Sequence, residues 1–108
     1  MIYFSDNLFC TDKIKPDINR IKLRLYSGIG TVGICFITIS DNENDVFDIY
    51  PASLLKQRPF RKRDHHIIGL AESKRAAIRL TGDMIAGAIE EKGDATDLKN
   101  FFLGKVKW

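Results

Sequence analysis

The ten residues TVGICFITIS at 31–40 constrain the fold more than any other stretch of the chain. Their β-branched and aromatic content predicts a strand. Side chains on a strand alternate between its faces, so Val32, Ile34 and Phe36 point one way while Cys35, Ile37 and Ile39 point the other. Both faces are apolar, and a sheet does not leave such a face in water. Either a final helix folds across the open face or a second subunit covers it. The expectation drawn from this strand is a homodimer.

Around it the pattern switches period several times. MIYF at 1–4 reads as a short first strand, stopped by the polar turn former SDN. From about Asp12, Ile14, Ile18, Ile21 and Leu25 make one stripe of an amphipathic helix. Pro16 suits its first turn and Gly28 its end. DNEND at 41–45 links strand 31–40 to VFDIY at 46–50 as a hairpin. Asp41, Glu43 and Asp45 alternate as calcium ligands do, but Val46 and Ala52 occupy the positions where a calcium loop needs Gly and Glu.

HHIIGLA at 65–71 is another strand, and Ser73 caps a long helix running to about Lys92, which Gly93 stops. Ala77, Thr81, Met84 and Ala88 fall on one stripe of it, with Ile78, Ile85 and Ile89 beside them. Asp94 opens a last short helix holding Leu98, Phe101 and Phe102, with Asp97 in a capping-box-like position. The order β-α-β-β-β-α-α predicts one α+β domain: a mainly antiparallel sheet of about four strands with helices packed on one face. At 108 residues such a domain buries a core without staples. Its two cysteines, Cys10 and Cys35, are too few for a disulfide framework. No apolar run approaches the roughly 18 residues needed to span a bilayer. MIYFSDNLF lacks the basic and apolar regions of a signal peptide, so a cytoplasmic location is expected.

Function has to be sought in the charges. The formal net charge is +3, yet KQRPFRKRDHH at 56–66 alone holds five Lys/Arg against one Asp, beside two His. Lys56, Arg58, Arg61, Lys62 and Arg63 surround Phe60, a grouping suited to clasping phosphates and stacking a base. A local patch of this kind points to an anionic partner, nucleic acid first and an acidic protein second. The plainer alternative is a solvated loop with Phe60 as a lid over the core. Downstream, Ser73, Lys74 and Arg75 open a helix whose N–H groups offer a second phosphate seat, close enough in sequence to share one ligand.

A competing class is an enzyme acting on a phosphorylated small molecule, with Ser73, Lys74 and Arg75 seating the phosphate and His65 or His66 moving a proton. Cys10, or Ser5 and Asp6, are the nearest imaginable partners for either histidine. Adjacent on a strand, His65 and His66 face opposite sides and do not share a metal. A third class is a structural or regulatory partner protein whose basic loop has no ligand.

GIGTVG at 28–33 matches GxGxxG, but a helix precedes it and a strand follows, the reverse of the dinucleotide-binding order. IYFSDNL and VGICFITI are similar to the two signature strands of the RNA-recognition motif. Gly33, Phe36, Ile37, Ile2, Tyr3, Asn7 and Leu8 carry that likeness, whereas Ile34 and Ile39 replace aromatics and Val32 replaces a basic residue. No cofactor is implied.

Along the chain, SDNLFC, SLLKQ, RK, IIGLA and the long final helices resemble a group of small hypothetical bacterial proteins of about a hundred residues. The resemblance implies a bacterial, stand-alone domain and assigns no active residue.

Overall fold

The doubly apolar strand finds a cover on each face from within its own chain. In the computed structural model, which describes residues 1–28 and 33–105, it is one of eight strands and helices. They are β1 (Ile2–Cys10), α1 (Ile18–Tyr26), β2 (Cys35–Ile39), β3 (Phe47–Pro51), α2 (Arg58–Arg61), β4 (His65–Ala71), α3 (Lys74–Lys92) and α4 (Leu98–Lys105). Short 3-10 turns at Lys15–Asp17 and Ala52–Lys56 lead into α1 and α2.

Phe36 and Ile37, neighbours on β2, are both fully buried, each in a different layer. Ile21 and Leu25 of α1, with Ala52 and Leu55, close the Phe36 side. Ala77, Met84 and Ala88 of α3, with Phe102 of α4, close the Ile37 side. Helices therefore lie on both faces, which corrects the expectation of helices on one. The opening that argued for a homodimer is filled by α3 and α4. It also overturns the RNA-recognition reading, because Phe36 and Ile37 are sealed under helices and offer bases no platform. Val32 and most of GIGTVG fall on residues 29–32, outside the described residues.

The sheet has the order β1-β4-β2-β3, with β2 antiparallel to both β3 and β4, and β1 parallel to β4. It is mixed, not mainly antiparallel. A parallel pair cannot be closed by a tight turn, and here the intervening elements form the connection. The extra helix α2 before β4 also alters the expected order. The hairpin of β2 and β3 stands, in the register Cys35 to Pro51 through Ile39 to Phe47.

Two irregularities position the side chains. Ile67 and Leu70 of β4 share one layer, while Ile68 and Ala71 share the other. That spacing of three breaks the alternation of a regular strand, and the ladder with β2 slips between Ile37 and Thr38, beside Gly69. A Cβ on Gly69 would lie 3.0 Å from Ile37 Cδ1. The second break is in β1, whose ladder with β4 jumps from Phe4–Ile67 to Phe9–Gly69. SDN does interrupt the strand, but as a bulge from which pairing resumes at Phe9, so β1 reaches Cys10.

Helix ends follow local chemistry. Ser73 Oγ accepts from Ala76 N at 3.0 Å, and Gly93 takes φ 92° to end α3. Asp94 instead makes a turn, its Oδ1 accepting from Thr96 N at 3.0 Å, so α4 starts later than expected.

Ile37→Ala should cost about 2–5 kcal/mol, with the cavity opened beneath α3. Chemical denaturation of the variant and the parent checks this. The parent's midpoint should not move with protein concentration; a rise with concentration would show that a second subunit contributes to the cover.

Candidate functional site

Pro59 fits the first turn of α2, and this single turn leaves Phe60 half-buried while Arg58, Arg61 and Lys62 stay exposed. The Phe60 ring lies 4.5 Å from His65 and 5.2 Å from Tyr50, centroid to centroid, over fully buried Phe36 at 6.3 Å. It is a lid on the core, and its stacking faces are taken. Arg63 holds its guanidinium 5.6 Å above the same ring.

His65 is buried under that lid. Its Nε2 is 2.7 Å from the Phe60 carbonyl oxygen. A carbonyl can only accept, so Nε2 carries the hydrogen and donates it. Burial pushes the imidazole below its ordinary value of 6.5, against the pull of the Phe60 hydrogen bond. Arg63 and the amino terminus lower it further, and Asp64 opposes them. Burial likewise pushes the Tyr50 phenol up, reinforced by the Asp48 carboxylate to which its hydroxyl donates at 3.3 Å. The cleft beside these groups holds about 60 Å³, far below the roughly 300 Å³ where small-ligand sites begin. On the opposite side of the strand, His66 stacks on Tyr3 with ring centroids 4.7 Å apart.

Ser73, Lys74 and Arg75 do not join the basic loop. They follow the far end of β4, which at about 3.3 Å per residue puts them roughly 20 Å from His65. No small phosphate ligand touches both, so the proton-moving histidine and the phosphate seat of the enzyme reading are apart. The Ser73 hydroxyl is already used as the cap of α3. Ser5, Asp6 and Cys10 line a groove against α1 that does not include either histidine.

What the loop does join is α1. Gly28 sits at φ 69°, and a Cβ there would be only 2.6 Å from Arg61 Cδ. The Arg61 stem thus lies across the end of α1, in space that only a glycine leaves. Lys13, Lys15, Arg20, Lys22 and Arg24, on α1 and its approach, belong to the same layer as Lys56, Arg58, Arg61, Lys62 and Arg63. Residues 12–28 and 52–64 together carry ten Lys/Arg and three Asp. The rest of the chain carries seven Lys/Arg and eleven carboxylates.

Asp12 pairs with Lys15 at 3.4 Å and Asp17 with Arg20 at 3.2 Å, both in solvent, where such pairs contribute little. Among the described residues no carboxylate pairs with any of the five loop cations. The α1 cations are what sequence reasoning missed. Their signal was the run of exposed basic positions beside the apolar stripe.

No family model, no curated protein and no solved structure matches the chain.

The buried, neutral His65 makes acid destabilising. Between the unfolded value of about 6.5 and the lowered folded value, the unfolded chain binds a proton that the native one does not. Stability should be flat above that window and fall as pH drops through it. Urea unfolding at stepped pH checks this, and His65→Gln should remove the histidine-linked slope.

Proposed function

We propose that the layer built from α1 and the 52–64 segment binds the phosphates of a nucleic acid, without catalysis. One observation carries the reading: two basic segments remote in sequence lie on one side of the sheet, held together where Arg61 crosses Gly28. Their cations outnumber nearby carboxylates, so a polyanion gains from counterion release across the whole layer. Phe60 takes no part as a stacking platform; it fixes α2 to the core and thereby fixes where the cations stand. A cytoplasmic location goes with this role. An acidic protein surface would meet the same cations, and binding to oligonucleotides separates the two partners.

The test is fluorescence anisotropy of labelled oligonucleotides at a series of salt concentrations. The expected log–log slope is about −0.7 to −0.9 for each phosphate contacted. Neutralising Arg58, Arg61 and Lys62 to Gln should flatten it, and so should Arg20→Gln with Arg24→Gln. A slope that responds only to the first set confines binding to the loop and removes α1 from the reading. Absence of salt-dependent binding by the parent protein would overturn the proposal.

A further inference from the structure

The break in β1 opens a groove against α1. Four residues of β1 stand against one of β4 between the paired positions, so Ser5–Leu8 leave the ladder. The resulting space is about 540 Å³, within the roughly 300–1,000 Å³ of sites that hold small aromatic ligands. Asn19, Lys22 and Tyr26 recur at i, i+3 and i+7 on α1 and line one wall, with Lys15 just before the helix. Phe4 and Ser5 come from the strand side. Tyr26 meets Phe4 edge-on at 5.0 Å and is still 57% exposed, so a ring face remains open. Lys22 holds its ammonium 5.2 Å above the Phe4 ring, inside the groove rather than out in solvent.

We infer that this groove takes an unstacked base of a single-stranded nucleic acid, with Tyr26 as the stacking face. The inference rests on the phosphate-binding reading of the basic layer, of which Lys15 and Lys22 are members. Aromatic rings bind bases of any identity through their π-faces, and adjacent cations neutralise the flanking phosphates. The Asn19 amide supplies both a donor and an acceptor for a base edge. Asp6, on the strand lip, repels phosphate and so sets the direction: backbone along α1, base toward β1. A duplex keeps its bases stacked and cannot use the groove, so single strands bind more tightly than duplexes of equal charge.

Tyr26→Ala and Tyr26→Phe test this, with a labelled single strand and its duplex measured side by side and circular dichroism confirming both folds. Losing one stacked base weakens single-strand binding by about 5- to 150-fold. Tyr26→Ala should show that loss for the single strand alone, with duplex affinity and salt slope unchanged, and Tyr26→Phe should retain most of the affinity. Equal loss for strand and duplex, or no loss at all, overturns the inference while leaving salt-dependent binding intact. If the parent protein binds neither nucleic acid, the reading beneath it falls as well.

Discussion

Everything in this molecule is arranged around the need of β2 to be covered twice. Phe36 and Ile37 are adjacent and both wholly out of solvent. A strand with that demand must lie inside a sheet, not at its edge, and it must have a layer above and a layer below. The first layer is α1 with the segment after β3, the second α3 with α4. The chain crosses between the layers by way of β4, and so β4 also becomes an interior strand. The slip beside Gly69 lets β4 serve both: it puts Leu70 with Ile67 in one layer and Ala71 with Ile68 in the other. A regular strand would have exchanged the last two.

The same plan decides what the surface can do. Because α2 is tied down by Phe60 against Tyr50 and His65, the cations that flank it sit at fixed places along the outside of the first layer. The histidine is then a structural group. Its hydrogen goes to the carbonyl of the residue that covers it, and the burial under that cover lowers the imidazole's basicity although the hydrogen bond itself works the other way. A reactive role for it would need water, space and a partner, and the surrounding cleft supplies little room for any of them.

Where local chemistry decides an element, the sequence is a sound guide. Ser73, Lys92 and Gly93 bound α3 as the cap and the left-handed glycine require, and the alternation of Phe36 and Ile37 across β2 is as expected. What it did not disclose depends on distance along the chain. The parallel pairing of Ile2 with His65 joins residues with most of the protein between them, and nothing near either end announces it. The burial of His65 comes from Phe60 folding over it, whereas the charged residues before it in sequence announce no such cover. The basic layer was hidden by arithmetic: the surplus in 12–28 is offset by carboxylates elsewhere, so a sum over the rest of the chain shows near neutrality. Only the placement of α1 beside α2 separates those charges in space.

That separation makes the molecule a dipole across its own sheet. The first layer is positive, whereas residues 72–105, on the α3–α4 side, hold six Lys/Arg against six carboxylates and are balanced. Near a linear polyanion such a body feels a torque as well as an attraction, and it turns its α1 face forward before any contact forms. Orientation of this kind shortens the search for a docking pose and fades as salt shortens the range of the field. Two copies approaching each other are likewise turned away from meeting α1 layer to α1 layer, where like charges face each other.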